Sequence, residues 1–460
     1  MSNSIFAAQA LLPEGWRDNV LLEWDADGIL TYVTPDSAAA NGITCAAVVL
    51  PGMPNLHSHA FQRAMAGLTE FRANPSDSFW SWRSLMYGFA RKLSPPAMKA
   101  IAAQVYVEML KAGYTSVCEF HYVHHDGNGK PYANPAEMAE CLIAAAAETG
   151  IGLTLLPVLY QYSGFGNKAP LAEQARFINS PQWVLDLLQR LQRTHAQHAG
   201  LRYGVAPHSL RAVAPEGLRE LLDGLRAWDA QAPVHLHIAE QTGEVEQCSA
   251  WLRARPVEWL LDNFAVDRRW CLVHATHMNH METQALARSG AIAGICPSTE
   301  ANLGDGFFNG VDYAAAGGAW GIGSDSNIST GMRDELRQYE YGQRLAQRRR
   351  NILVGADNAS VGAYLYRQAA SGGARASARP IDGLAVGQRA DLMTLDNTHP
   401  DLCHKRGDQL LDSLVFCDHA PTPLRDVMCG GRWVIRDGQH ADQGAIAADY
   451  RNALQGLLGN

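Results

Sequence analysis

Two histidines one residue apart, His57 and His59, lie in PNLHSHAFQRAMAGLTE (residues 54–70), at the end of an apolar approach. In an extended chain residues i and i+2 share a side, so one strand presents two imidazoles to one point. Imidazole suits zinc, and a catalytic zinc site takes about three protein ligands and keeps a position open for water. His237, in PVHLHIAE, and Asp325, in WGIGSDSN, complete such a set. Bound zinc lowers the pKa of its water to about 7, so a proton carrier must stand nearby. Glu240 follows His237 by three residues, placed to take a proton from that water and deliver it to a leaving nitrogen. His274, in CLVHATHM, is placed to orient or polarise the group under attack, while Asp325 both binds metal and accepts a proton. Singly, each residue has an ordinary structural explanation, such as a helix-dipole carboxylate for Glu240. Their joint placement at strand ends points to chemistry.

The elements that position them have a clear rhythm. From residue 50 to about 330, short apolar β-branched runs recur, each followed by a polar turn and a helix-like segment. Such runs begin at residues 54, 113, 152, 202, 233, 271, 291 and 320, and eight βα units predict a (β/α)8 barrel of the TIM type. Its active site belongs at the C-terminal strand ends, where Glu119 and His208 join the residues above. Residues 1–50 and about 380–445 instead read as short alternating strands with Gly and Asp turns. The expected division is therefore a catalytic barrel over 51–379 and a small discontinuous β domain from 1–50 and 380–460.

Composition narrows the partners. The 460 residues are 47% hydrophobic and 18% charged, with a net charge of -8, which argues against a general nucleic-acid binder. Nine cysteines without a CxxC pair fit a reducing compartment better than a disulfide framework. No basic-then-apolar leader and no membrane-spanning run is evident, so the expectation is a soluble cytoplasmic protein acting on a small molecule.

HxH, HLHIAEQ, LVHATH and GIGSDSN resemble the amidohydrolase superfamily, specifically its cytosine-deaminase-like aminohydrolase branch. The resemblance runs nearly the whole chain and includes GQRADLMTLD in the flanking β region. It implies an amidohydrolase-type barrel, a small flanking β-sandwich, and one metal per chain: Zn2+, with Fe2+ and Mn2+ as alternatives. Dinuclear members use a lysine on strand four, and RYGVAPHS has none. Within the branch, HSHAFQRAMAGLTE, FWSWRSLMYGF, EFHYVHH and APHSLRAV resemble members that hydrolyse N-formimino-L-glutamate to N-formyl-L-glutamate and ammonia in histidine breakdown. That implies substrate contacts from Gln62, Arg83, Tyr122, His208 and Arg211, and a dicarboxylate substrate suits arginine forks. A homodimer follows by analogy. The competing readings are a deaminase of a purine, pyrimidine or related ring, and an inactive barrel that binds without turnover. His235 shares a strand face with His237, but the HxxE spacing favours His237 as ligand; His277 reads as a loop residue. HYVHHDGNGKPYAN reads as a mobile loop near the site, and RLAQRRRN as a solvated helix face.

Overall fold

The computed structural model describes residues 3–39, 41–70, 78–356, 358–417 and 420–459. The N-terminal part forms β1 (Ser4–Leu12), β2 (Gly15–Trp24), β3 (Leu30–Thr34) and β4 (Thr44–Pro51). All eight runs expected as βα strands are strands. They are β5 (Met53–Ser58), β6 (Tyr114–His121), β7 (Gly152–Leu159), β8 (Leu201–Tyr203) continued by β9 (Ala206–Pro207), β10 (Val234–Ile238), β11 (Trp270–His274), β12 (Ile292–Ile295) and β13 (Ala319–Ile322). They pair in parallel, in the orders β5-β6-β7-β8, with β9 on β7, and β10-β11-β12-β13. Isolated parallel bridges link these two sheets, Val205 to Val234 and Ser209 to His237 on one side and Ser58 to Asp325 on the other.

Strands β5, β6, β7, β10, β11 and β12 are buried at every position, as expected where helices cover a parallel sheet. The helix Pro181–Thr194 shows how the covering elements are specified: Ser180 Oγ accepts from the Trp183 N–H at 3.2 Å, Pro181 occupies the first turn, and Val184, Leu187, Leu188 and Leu191 form the buried stripe. The fourth strand is broken where one run was expected. At Gly204 the backbone passes so close to Pro233 that an added Cβ would lie 2.4 Å from its carbonyl oxygen; Val205 bridges to Val234 there, and the ladder with β7 resumes at Ala206.

The flanking strands are completed by β14 (Leu392–Leu395), β15 (Leu424–Cys429) and β16 (Arg432–Ile435). Both chain ends share one hydrogen-bonded sheet of seven strands, β16-β15-β14-β4-β1-β2-β3, around Ile5, Val20, Leu22, Val49, Leu392 and Met428. The C-terminal region is less uniformly extended than its turns suggest. Leu410, Leu411, Leu414 and Val415 lie on one face of the helix Asp408–Phe416, and the helix Gln443–Leu458 packs on Pro95–Lys111, where Lys111 Nζ donates to Gln443 Oε1 at 3.2 Å. HYVHHDGNGKPYAN is also corrected at its start: His124 and His125 are buried, each bonded to a backbone carbonyl and packed on Trp183, so neither is a mobile loop residue. In RLAQRRRN, the helix Met332–Gln347 ends within the run, with Arg348–Arg350 exposed but Arg344 held by buried Glu340 at 2.7 Å.

Candidate active site

Four donor atoms converge where β5, β10 and β13 end. The Nε2 atoms of His57 and His59 each lie 3.3 Å from Asp325 Oδ1, and His237 Nε2 lies 3.0 Å from His57 Nε2. His57, His59, His237 and Asp325, all buried, place one ligand atom each within 4.8 Å of one another. Two of the rings are aimed from behind: His59 Nδ1 donates to the Phe120 carbonyl at 3.0 Å and His237 Nδ1 to the His208 carbonyl at 3.2 Å, which leaves the Nε2 lone pairs facing inward. Burial holds His57 down at about 3 and lowers His59 and His237 as well, so the imidazoles are neutral donors. Burial opposes ionisation of Asp325, but the bond from His57 and the surrounding imidazoles keep its carboxyl well below the usual range. Three neutral imidazole nitrogens and one carboxylate form a donor set for a divalent cation such as zinc.

The backbone beneath is over-determined. Asp325 has φ 48°, a strained value for a non-glycine residue. It is held there because its N–H donates to the His57 carbonyl at 3.0 Å while its own carbonyl accepts from the His59 N–H at 2.9 Å. Gly323 permits that approach, since a Cβ there would sit 2.7 Å from His57 Cβ. Behind it, fully buried Asn55, Ser324 and Asn327 form a closed network. Asn55 Nδ2 donates to Ser324 Oγ at 2.7 Å, Ser324 Oγ donates to Asn327 Oδ1 at 2.7 Å, and Asn327 Nδ2 donates to the His59 carbonyl at 3.1 Å. The sequence reading missed all three, because a lone amide in an apolar strand has no periodic signature.

Beside the donors stand two further buried titratable groups, Glu240 and His274. His274 Nε2 lies 3.8 Å from Glu240 Oε1 and 3.7 Å from Asp325 Oδ2. Burial pushes the Glu240 carboxyl up to about 7, with His274 opposing; for His274 burial is the opposing effect, and Glu240, Glu300 and Asp325 push the imidazole up to about 10. The Glu240 N–H donates to Glu244 Oε2 at 3.1 Å, a support the sequence reading also missed.

All five residues expected to touch substrate line one cavity with His59, His237, Glu240, His274 and Asp325; His57 lies beneath it. Gln62 Nε2 donates to Tyr122 Oη at 2.8 Å, and His208 Nδ1 lies 3.1 Å from Ser209 Oγ. The Arg83 guanidinium sits 4.5 Å from the Trp80 ring centroid and that of Arg211 5.7 Å from it. Arg83 Nη1 and Arg211 Nε are buried without a hydrogen-bond partner among the described residues, and burial together with the like charge of Arg211 lowers Arg83. Two such cations in one cavity are arranged for anions. His235 is elsewhere, its Nε2 held by the Ala376 carbonyl at 2.8 Å; His277 lies in the turn after β11 and Glu119 caps the Ala60 N–H at 2.6 Å.

Comparison with known proteins agrees with this geometry. Residues 48–434 match the model of the Amidohydrolase family, and residues 2–42 match that of Formimidoylglutamate deiminase HutF, N-terminal domain. The chain is 53% identical to a formimidoylglutamate deiminase of Pseudomonas aeruginosa, covering 99% of this chain and 100% of that one, and 28% identical to an 8-oxoguanine deaminase of the same species over 89% and 88%. A crystal structure of an amidohydrolase from Brucella melitensis superposes with a TM-score of 0.94 at 48% identity, over 99% of each chain. A zinc-bound adenosine deaminase of Xanthomonas campestris, 20% identical over 99% of this chain and 98% of that one, shares the fold with a TM-score of 0.80. With strand ends, donor set and family match in agreement, the chain belongs to the amidohydrolase family.

Proposed function

We propose that the protein hydrolyses N-formimino-L-glutamate to N-formyl-L-glutamate and ammonia, as its 53% identical relative is named for doing. The observation that carries this reading is the pair Arg83 and Arg211, facing the same cavity as the donor cluster with guanidinium nitrogens to spare. A neutral flat ring would leave both charges uncompensated; two carboxylates answer them.

One zinc ion per chain is proposed at His57, His59, His237 and Asp325, and when bound it supplies a Lewis acid that makes water a nucleophile near neutral pH. The chain's own residues do the rest. Arg83 and Arg211 take the carboxylates, with Gln62, Tyr122 and His208 lining the space between, so that the formimino carbon faces Glu240 and His274. Glu240, with its carboxyl near neutral pH, accepts a proton from water and delivers it to the leaving nitrogen. His274, a charged donor, polarises the imino group, and Asp325 accepts a proton. The carbon–nitrogen double bond is replaced by carbon–oxygen, and both water protons end on ammonia.

The same reading takes the two parallel sheets and their bridges as one (β/α)8 barrel over 51–379, with a small β unit from 1–50 and 380–460. A cytoplasmic homodimer is part of the proposal, supported for its compartment by nine unpaired cysteines. Among the described residues no helix is long and apolar enough to cross a membrane. Ammonia release from N-formimino-L-glutamate, compared with guanine and cytosine at measured metal content, tests the function; turnover of a ring and not of the linear amidine would overturn it.

A further inference from the structure

We propose that Glu300 is the positioning residue for His274, holding its Nδ1–H and so fixing which edge that ring turns to the reacting group. The proposal rests on the functional reading above in one respect, that His274 faces the substrate.

His274 ends β11 at φ 66°, fully enclosed. Its Nε2 faces Glu240 and Asp325, while Nδ1 on the opposite edge lies 3.2 Å from Glu300 Oε1. The same oxygen accepts from the Cys296 N–H at 2.9 Å, so the carboxylate is clamped from a second direction. The Oε1 that accepts from the Cys296 N–H accepts again here, so the hydrogen in this contact sits on Nδ1, and the ring plane is set.

The short helix Pro297–Leu303 that bears Glu300 is anchored in turn. Buried Glu335 accepts from the Ser298 N–H at 2.9 Å and from its hydroxyl at 2.5 Å, and Thr299 Oγ1 donates to the Ser324 carbonyl at 3.3 Å. Ser324 belongs to the network beneath Asp325, so His274 and Asp325 are located by one continuous set of bonds.

The test compares Glu300→Gln and Glu300→Ala, each alone and combined with His274→Gln, by kcat, KM and metal content on N-formimino-L-glutamate. The His274 Nδ1–H proton is followed in histidine-labelled protein by NMR, a readout that needs no substrate. Expected are a fall in kcat of about 10- to 100-fold for Glu300→Ala with KM and metal little changed, and recovery of most of it in Glu300→Gln, whose amide oxygen still accepts. The Nδ1–H resonance should persist in the Gln variant and vanish in the Ala variant. With His274 replaced, Glu300→Ala should change kcat less than about threefold, because supports that act through one residue are not additive. An equal fall in both backgrounds, metal lost along with kcat, or an unchanged Nδ1–H resonance in Glu300→Ala would overturn the proposal. If the wild type releases no ammonia, the functional reading fails, and the NMR comparison still decides the role of Glu300.

Discussion

The site has a floor and a wall built on different principles. The floor, from β5 and β13, is fixed by backbone bonds in both directions between His57, His59 and Asp325 and by three buried polar side chains behind them. The wall is the helix Phe79–Lys92, which brings Phe79, Trp82, Arg83, Met86 and Tyr87 to the cavity. It is held by aromatic packing and by side-chain bonds such as Gln174 Nε2 to Tyr87 Oη at 3.0 Å. A group tied through its own peptide bonds cannot shift without breaking strand pairing; one carried on a helix face can move with its rotamer. The donor cluster is thus placed by the chain path, and the opposite side of the cavity is lined by replaceable side chains.

The sharpest break between chemistry and placement is Glu240→Gln. It keeps the shape and the metal but removes the proton carrier, so turnover should fall by about 10²–10⁴. Metal and rate measured on one sample check this; loss of both together would make Glu240 part of the floor.

Of the two cavity arginines, Arg211, in the turn after β9, should on replacement by Met lower kcat/KM by about 1.5–3 kcal/mol, some tenfold to a hundredfold, with full metal occupancy. Arg83→Met should behave alike, and steady-state kinetics on both variants reads the effect. Wild-type values in both would move the carboxylate contacts elsewhere.

On the floor the contrast reverses. Asn55→Ala strips Ser324 of a buried partner and should cost about 1–3 kcal/mol of stability, with metal affinity down about tenfold or more while the KM of metal-saturated protein stays put. Denaturant melts and metal titration would show it.

The smallest effect on turnover is expected at Glu335, whose signature is a pH dependence of stability. Burial pushes this carboxyl up from 4.5 to about 8. The folded state therefore holds its proton more tightly than the unfolded one, so the stabilisation is full below about 4.5 and is lost as pH rises through about 8. Glu335→Gln should flatten that part of the stability curve between pH 5 and 9, read by thermal melts; an unchanged slope would assign it to other groups.

Much of the donor cluster, with Glu240 beside it, was legible in the sequence, and little of its support. HxH, HxxE and SD at the ends of apolar runs gave His57, His59, His237, Glu240 and Asp325, because a two-residue period and an apolar run leave a visible pattern. Asn55, Glu244 and Glu300 leave none: each acts through a partner 4 to 269 residues away, a distance that only the fold closes. Arg83 and Arg211 were found by resemblance alone, since an arginine on a helix or in a turn is ordinary until its cavity is seen. The break in the fourth strand was hidden because the close approach of Gly204 to Pro233 joins two runs far apart in the sequence. The helix Asp408–Phe416 was masked by the turn-rich residues around it.

The seven-stranded sheet has a consequence for how the chain is made. β4 lies between β1 and β14, with Pro51 opposite Leu392 and Val48 opposite Leu395. Its second native partner thus emerges from the ribosome about 340 residues after β4 itself, a delay on the order of 20–70 s at bacterial-to-eukaryotic synthesis rates of roughly 5–20 residues per second. Throughout that interval the apolar edge of TCAAVVLP is an open template for strand pairing between nascent chains. Translation speed and holdase supply, rather than final stability, should therefore set the yield of this protein.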